Sequence, residues 1–214
     1  ANMSHEIRTP LNAIVGFSNL LVETNDPDEK EEYTRIINNN NELLLKLISD
    51  ILDLSKIESG SVKLKYEDFD LSGYFDELAV SMKQRITNPD VNLVIVNRYD
   101  KCLVCLDKNR VAQILTNYMI NAIKYTVKGT IEMGYDATKS GIYFYVKDSG
   151  IGIPAERVAT IFQRFGKIND FVQGTGLGLT LCRMLVEKMG GRIWLRSQEG
   201  KGSRFYFTLP LIRQ

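Results

Sequence analysis

The apolar residues of this chain follow two different periods, and the change between them divides the sequence into two parts. Up to about residue 58 they recur at steps of three, four and seven, as in helices that bury one face. From about residue 62 the chain changes to short runs rich in β-branched and aromatic residues, which alternate with helical segments. The sequence therefore predicts a helical domain over residues 1–60 and a separate α+β domain over residues 61–214.

The first part is interpreted as two amphipathic helices joined by a short turn. The first helix is predicted to run from before residue 1 to about Glu23, and the second over about 29–58, around a polar turn at 24–28. A lone antiparallel hairpin cannot cover its own apolar stripe, so we expect two copies to form a dimeric four-helix bundle. Ala1 lies inside the helical pattern with no cap, which we interpret as a cut within a longer protein that carries an upstream sensor.

The second part is predicted to contain a mixed sheet with helices packed on one face. The predicted strands are 62–66, 92–97, 102–106, 130–135, 142–147, 192–197 and 203–209. The predicted helices are 71–86, 108–125, 155–162 and 177–189. Asp107 is expected to be the N-cap of the second of these helices. The expected fold class is thus α+β, with an antiparallel helical hairpin that forms a dimeric four-helix bundle, followed by an α/β sandwich domain.

Composition excludes several other classes of protein. The 27 basic and 26 acidic side chains leave a net charge of +1, which gives no reason to expect a nucleic-acid partner. No run of about 18 apolar residues is present, so we expect no membrane segment in this sequence. The three cysteines (Cys102, Cys105 and Cys182) are odd in number and have no histidine nearby, which favours small buried hydrophobes over a zinc site or a disulfide.

The sequence contains a single histidine, His5. It lies two positions before Ile7, so at about 100° per residue its ring points away from the apolar face and is expected to be exposed. Glu6 can hold the Nδ1–H of the ring and leave Nε2 free as a nucleophile. Thr9 lies on the same helical surface one turn later. An incidental surface histidine is the alternative, but these neighbours favour a reactive patch.

A second polar pattern lies on the predicted helix 108–125. Asn117, Asn121 and Lys124 follow one another at steps of four and three, which places them along one helix surface. Amide oxygens next to an ammonium group suit Mg²⁺ together with phosphate, because the hard cation takes oxygen ligands and the lysine meets phosphoryl charge. The polar face of an ordinary amphipathic helix is the alternative.

A carboxylate and two glycines follow a predicted strand at 148–152. Asp148 can accept a hydrogen bond from the exocyclic amine of adenine, whereas guanine would present an oxygen at that point. Gly150 and Gly152 permit a tight turn and a close approach of the backbone to a ring. The alternative is an ordinary turn between a strand and a helix.

A glycine-rich segment, 174–179, precedes the last predicted helix. Its backbone N–H groups and the helix N-terminus are suited to bind phosphates. A Rossmann site is excluded because no strand leads into these glycines, and a Walker A loop is excluded because no Gly-Lys-Ser/Thr ends the segment. We interpret the preceding aromatic segment 162–165 and loop 166–173 as a hinged cover over a nucleotide. Alternatively, the aromatic side chains are core residues that anchor this lid.

Taken together and in this order, these segments resemble the transmitter core of sensor histidine kinases, over residues 1 to about 210. The matching segments are the histidine box around His5, the asparagine box at 117–125, the first glycine box at 148–152, the phenylalanine box at 162–165 and the second glycine box at 174–178. The resemblance implies a dimerisation and phosphotransfer hairpin, followed by an ATP-binding domain of the superfamily that includes gyrase and chaperones. It also implies a cytoplasmic location, including where the parent protein is anchored in a membrane.

The resemblance further implies a reaction and its partners. Nε2 of His5 would attack the γ-phosphate of ATP, with Glu6 accepting or polarising a proton. The phosphoryl group would then pass to an aspartate of a response-regulator receiver domain, from a homodimer of the kinase. Thr9 would orient a water molecule for the reverse, phosphatase reaction on that regulator.

The same resemblance implies a nucleotide site. Its residues are Asn117, Asn121, Lys124, Tyr125, Asp148, Gly150, Gly152, Arg164, Gly174, Thr175, Gly176, Leu177 and Gly178. Asn121 would hold Mg²⁺, Asp148 would select adenine, and Lys124 with the glycine backbone would meet the phosphates. Tyr125 would line the base pocket, and Arg164 would neutralise charge at the transferring group.

Three alternative functions remain open. A superfamily ATPase or a serine kinase would share the asparagine and glycine boxes but would not need the segment around His5. An inactive nucleotide-binding adaptor would be expected to lose Asn121 or Asp148, and both are present. The lid between 165 and 174 is shorter than is usual in the family, which leaves its closure and contacts open.

Overall fold

The computed structural model describes residues 2–166 and 174–211. It begins with an antiparallel pair of helices, α1 (Asn2–Glu23) and α2 (Pro27–Glu58). α2 begins two residues earlier than predicted, because the Asp26 side chain accepts a hydrogen bond from the N–H of Asp28 at 2.9 Å and Pro27 fits the first helical turn. None of the described helices is long and apolar enough to span a lipid bilayer.

The hairpin buries only part of its apolar surface. Leu47 and Leu54 of α2 are buried, and Phe17 of α1 packs against Tyr33 of α2 with ring centroids 5.6 Å apart. Other apolar side chains of the two helices are exposed, namely Leu11, Val15, Leu20, Val22, Leu45, Ile48 and Leu52. A single hairpin therefore leaves an apolar surface in solvent, as the sequence pattern predicted.

The second domain contains four helices and seven strands within the described residues. The helices are α3 (Leu71–Gln84), α4 (Lys108–Tyr125), α5 (Ala155–Val158) and α6 (Gly178–Lys188). The strands are β1 (Glu67–Asp70), β2 (Val91–Val96), β3 (Leu103–Leu106), β4 (Gly129–Thr138), β5 (Gly141–Asp148), β6 (Arg192–Gln198) and β7 (Gly202–Pro210). The main sheet has the order β2-β4-β5-β7-β6, in which only β2 and β4 are parallel, and β1 pairs with β3 in a separate ribbon. The predicted mixed sheet is confirmed.

The helices cover one face of the main sheet. Tyr118 of α4 packs against Phe205 with ring centroids 5.2 Å apart, and Phe144 and Phe207 of adjacent strands stack at 4.6 Å. Asp107 caps α4 as predicted, since its side chain accepts a hydrogen bond from the N–H of Arg110 at 3.1 Å. α6 contacts both α4 and α2, so these three helices meet at one place in the molecule.

Two predicted elements differ in the structure. The strand predicted over 62–66 is wrong, because Val62 turns inward while the N–H of Lys65 donates to the Asp107 carboxylate at 2.9 Å instead of to a neighbouring strand. The helix predicted over 155–162 ends at Val158. It is followed by three-residue turns, such as the bond from the N–H of Gln163 to the carbonyl of Thr160.

Candidate nucleotide and phosphotransfer sites

A cavity of about 380 Å³ lies where α4, α6 and the loop before α6 face α2. Its volume falls within the range of about 300–1,000 Å³ that is typical of small-molecule sites. Eight of the predicted nucleotide residues line it, namely Asn117, Asn121, Lys124, Tyr125, Gly174, Thr175, Gly176 and Gly178. The structure therefore brings the asparagine box and the second glycine box together in one wall, although about 50 residues of sequence separate them.

The polar residues of α4 face this cavity from one helix surface. Asn117 is buried, and its amide nitrogen donates to the Cys182 sulfur at 3.6 Å. Its amide oxygen lies near Gly178, where an added Cβ would come within 3.3 Å of it. Burial raises the pKa of Cys182 to about 12, so the neighbouring thiol stays protonated and serves as a neutral partner of the amide.

Lys124 links α4 to the glycine loop. Its Nζ lies 4.8 Å from the centre of the Tyr125 ring, which is half-buried. An added Cβ at Gly174 would come within 2.7 Å of the same Nζ, so glycine at that position lets the ammonium approach the loop backbone. A cation is thus positioned beside the N–H groups of the loop.

The glycine loop leads directly into α6, which has no side-chain cap. The first N–H groups of such a helix have no partner within the helix and carry the positive end of its dipole. Gly176 has a φ of +66°, and an added Cβ there would come within 2.8 Å of the Phe165 backbone. Glycine is required at this position both for the dihedral angle and for the close packing of the phenylalanine box against the loop.

Asp148 lies at the end of β5, outside the wall of the cavity, and is buried. Its Oδ1 accepts hydrogen bonds from the N–H groups of Gly150 at 2.9 Å and Ser203 at 3.3 Å. Burial raises the pKa of this carboxyl, and the two backbone hydrogen bonds partly offset that rise. The carboxylate is thus oriented by backbone groups through one oxygen, while Oδ2 accepts no hydrogen bond from the described residues.

The turn after Asp148 is fixed by close backbone contacts. An added Cβ at Gly150 would come within 2.3 Å of the Tyr125 carbonyl oxygen, and one at Gly152 within 2.1 Å of the Gln198 carbonyl oxygen. The N–H of Ile151 donates to the Tyr125 carbonyl at 3.2 Å. The first glycine box is therefore attached to the C-terminal end of α4, next to the cavity that Tyr125 lines.

Sequence reasoning missed two residues that hold Asp148. The N–H of Ser203 donates to the carboxylate, and an added Cβ at Gly202 would lie 2.0 Å from the Asp148 carbonyl oxygen. The only available signal was the spacing of glycines before the last strand. Sequence reasoning also assigned no chemistry to the asparagine-rich run 38–41 of α2, although Asn39 lines the cavity.

The residues predicted to take part in phosphotransfer lie on α1, and none of them is in the cavity wall. His5 and Thr9 are exposed, and Glu6 is half-buried. The Thr9 hydroxyl donates to the His5 carbonyl oxygen at 3.2 Å, so its proton is engaged while its oxygen can still accept a hydrogen bond. His5 is exposed, as predicted. It does not line the cavity, because the hairpin residues that do so belong to α2 and not to α1.

Arg164 is also outside the cavity wall. Its guanidinium forms an ion pair with Glu58 at the end of α2. The predicted lid falls almost entirely on 167–173, outside the described residues. Within the described residues, the ion pair between Arg164 and Glu58 connects the phenylalanine box to the end of α2.

The donor atoms at the cavity suit Mg²⁺. In the described part of the chain, no group of three or more histidine, cysteine, aspartate or glutamate side chains converges as a metal site. Mg²⁺ commonly uses only one or two protein oxygens and completes its shell with water and substrate phosphates. The amide oxygens of Asn117 and Asn121, beside the loop suited to phosphate, are compatible with such a site.

Comparison with known protein families matches both parts of the chain. Residues 1–60 match the His Kinase A (phospho-acceptor) domain. Residues 106–213 match the family described as Histidine kinase-, DNA gyrase B-, and HSP90-like ATPase. The chain belongs to the histidine kinases of two-component systems. The predicted family and its pair of domain types are confirmed.

Curated relatives of this histidine kinase core are sensor kinases. The sensor protein GacS of Pseudomonas syringae pv. syringae is 38% identical over 221 residues, which cover 99% of this chain and 24% of GacS. The autoinducer 2 sensor kinase/phosphatase LuxQ of Vibrio parahaemolyticus is 34% identical over 222 residues, covering 99% of this chain and 26% of LuxQ. The histidine-protein kinase BarA of Escherichia coli K12 is 35% identical, covering 99% of this chain and 24% of BarA. The chain thus spans about a quarter of the length of these relatives.

Solved histidine kinases share the fold. ThkA, in complex with the response regulator protein TrrA, superimposes with a TM-score of 0.76 at 27% identity over 98% of this chain and 60% of that chain. Full-length ShkA in complex with AMPPNP gives 0.74 at 27% identity over 99% of this chain and 45% of that chain. AdeS of Acinetobacter baumannii gives 0.77 at 23% identity over 98% of both chains. The predicted α+β arrangement of a hairpin followed by a mixed-sheet domain is confirmed.

Proposed function

We propose that this histidine kinase core transfers the γ-phosphate of ATP to His5 and then to an aspartate of a response-regulator receiver. The observation that carries the proposal is the single cavity in which Asn121, Lys124 and the glycine loop converge. The proposal is supported by the family matches over both domains and by the AMPPNP bound to ShkA.

The nucleotide would be held at its two ends by different chemistry. Asp148 would accept a hydrogen bond from the adenine amine through Oδ2, with Gly150 and Gly152 allowing the ring to approach the backbone. Lys124 and the N–H groups of residues 174–178 would meet the phosphates at the N-terminus of α6. Tyr125 lies between the two groups and would line the base pocket.

Asn121 would hold Mg²⁺ through its amide oxygen, beside Asn117. The cation would supply charge neutralisation at the phosphates. The protein's own contribution is to place the oxygen donors of α4 beside the cationic Lys124 and the loop. Arg164, once released from Glu58, would add a further positive charge at the transferring group.

His5 would act as the nucleophile through Nε2, with Glu6 polarising or accepting the proton of the ring. The bond from Nε2 to the γ-phosphorus would form as the bond to the bridging oxygen of ADP breaks. Because His5 is absent from the cavity wall, the transfer requires the catalytic domain to move along the hairpin, or a histidine from a partner subunit. Either route is compatible with the exposure of His5.

The proposed partners are a second copy of the chain and a response-regulator receiver. Dimerisation would cover the exposed apolar side chains of the hairpin and create a four-helix bundle. The complex of ThkA with TrrA supports a receiver as the acceptor, and the name of LuxQ as a kinase/phosphatase supports a reverse reaction. In that reaction the Thr9 oxygen would accept a hydrogen bond from the attacking water. Because ATP is supplied in the cytoplasm, we expect this core to work there.

Incubation with γ-labelled ATP and Mg²⁺ tests the proposal. The label should be acid-labile and alkali-stable, as expected for phosphohistidine. His5→Gln should abolish labelling while nucleotide affinity stays unchanged, because the ring lies outside the cavity. Equal labelling of the wild type and His5→Gln would overturn the proposal. Phosphate release without any label on the protein would favour the alternative of a superfamily ATPase, and nucleotide binding without turnover would favour an inactive adaptor.

A further inference from the structure

The hairpin supplies one wall of the nucleotide cavity. Asn39, Glu42, Leu43 and Lys46 of α2 line the cavity opposite the polar surface of α4. Their spacing of three and four residues places them on a single face of the helix. The cavity is therefore shared between the two domains, and its hairpin wall contains one cation, Lys46.

Lys46 is connected to the glycine loop through a short chain of polar contacts. Its Nζ lies 3.5 Å from Oδ1 of Asp50, one helical turn further on. Oδ2 of Asp50 accepts a hydrogen bond from the Thr175 hydroxyl at 3.1 Å, and that hydroxyl oxygen accepts one from the N–H of Leu177 at 3.3 Å. Asp50 and Thr175 are both buried, so this contact holds α2 directly against the loop.

The two residues of this ion pair differ in exposure. The Asp50 side chain is 7% exposed, whereas the Lys46 side chain is 44% exposed. A partly exposed lysine pair costs little to open, because the ammonium is a point charge on a flexible stem. Lys46 can therefore turn toward a new anion in the cavity, while Asp50 remains bonded to Thr175.

The charged side chains that line the described part of the cavity favour a ligand with several negative charges, such as a nucleoside triphosphate. The cations that line it are Lys46 and Lys124, against one carboxylate, Glu42. A nucleoside triphosphate would bring several negative charges into this space, which both lysines line. Adenosine monophosphate brings far less charge and would depend less on either lysine.

We infer that Lys46 of the hairpin is a phosphate-binding residue of the nucleotide site, which contacts the triphosphate when the catalytic domain is docked against α2. Asp50, which pairs with Lys46 in the structure, holds Thr175 of the loop against α2. This inference rests on the proposed function, because it assumes that the cavity binds ATP. It assigns to α2 a direct part in nucleotide binding, in addition to its part in the hairpin.

Titration of the whole chain with Mg-ATP and with AMP tests the inference. Lys46→Met should weaken ATP binding about five- to tenfold, as expected for the loss of one partly screened charge contact, and should change AMP binding little. Lys46→Arg keeps the positive charge and should retain most of the ATP affinity. Lys30→Met, an exposed lysine on the same helix outside the cavity wall, is the matched control and should bind both nucleotides as the wild type does.

The readout is the ratio of ATP affinity to AMP affinity, which general damage to the fold would not change selectively. An unchanged ratio in Lys46→Met would overturn the inference, whether the affinities for ATP and AMP both stay the same or both fall equally. Failure of the proposed function is distinguishable, because it would appear as absent ATP binding or absent His5 labelling in the wild type. A lowered ratio in Lys46→Met that is restored in Lys46→Arg would support a contact between Lys46 and the phosphates.

Discussion

Replacement of Asp148 by asparagine should weaken ATP binding without destabilising the protein. Asparagine keeps an oxygen that can accept the hydrogen bonds from the N–H groups of Gly150 and Ser203. It replaces the second oxygen with an N–H₂ donor, which would face the donor amine of adenine. The adenine then loses its charge-assisted hydrogen bond, and two donors meet in a buried site.

The structure sets the size of this effect. A hydrogen bond to a charged group contributes about 1.5–3 kcal/mol, and about 1.4 kcal/mol corresponds to a tenfold change in affinity. Asp148 is 6% exposed, so solvent screens the contact weakly. We therefore expect the dissociation constant for ATP to rise about tenfold to a hundredfold in Asp148→Asn.

Stability should respond in the opposite sense. Because burial raises the pKa of Asp148, the folded protein binds a proton there more readily than the unfolded chain does. This carboxyl contributes stability at low pH, and that contribution is lost as the pH rises through its folded pKa. At neutral pH, Asp148→Asn should therefore unfold at the same temperature as the wild type or higher, and the difference should shrink as the pH is lowered.

Calorimetric titration with ATP and thermal unfolding at several pH values measure the two effects. Asp90→Asn changes an exposed carboxylate in a loop and is the matched control, with no expected change in either quantity. An unchanged ATP affinity in Asp148→Asn would remove the adenine assignment. If Asp148→Asn lowered both the ATP affinity and the unfolding temperature, the turn after Asp148 would have collapsed, and the reasoning would be refuted.

Three further predictions concern the metal, the loop geometry and the reverse reaction. Asn121→Ala should lose Mg²⁺-dependent labelling, measured as rate against Mg²⁺ concentration, and an unchanged curve would refute the metal assignment. Gly202→Ala should lower ATP affinity, and it should lower the free energy of unfolding in urea titrations by about 1–3 kcal/mol, because φ is +106° and the new Cβ would overlap the Asp148 carbonyl. A wild-type free energy of unfolding would show that the turn can relax. Thr9→Ala should leave autophosphorylation intact but slow dephosphorylation of the regulator, measured as the lifetime of its aspartyl phosphate. Thr9→Ser keeps the hydroxyl and is the control, and an unchanged lifetime in Thr9→Ala would remove Thr9 from that step.

The features that were predicted correctly depend on residues close together in the chain. The helices of the hairpin follow from a period of three to four residues, and the N-cap at Asp107 follows from the residues next to it. The surface shared by Asn117, Asn121 and Lys124 follows from helix geometry alone. These features could be predicted because each is determined within one or two helical turns.

The segment 62–66 shows where such reasoning fails. Its alternating apolar residues favour a strand, but a strand also needs a partner with which to exchange hydrogen bonds. The tertiary structure instead presents the Asp107 carboxylate to the N–H of Lys65. The local pattern was correct that Val62 turns inward, but Tyr66 is exposed and the backbone hydrogen bonds do not go to a neighbouring strand.

The sequence alone thus determined the family, the two domains and the residue types that suit ATP chemistry, because these are encoded in short motifs and regular periods. Only the tertiary structure decided how the motifs meet. Ser203 bonds to Asp148 across 55 residues, and Thr175 bonds to Asp50 of the hairpin across 125 residues. Contacts between residues so far apart in the sequence form only when whole elements bury apolar surface against each other. That burial decides how α6 docks against α2, and no local sequence pattern specifies it.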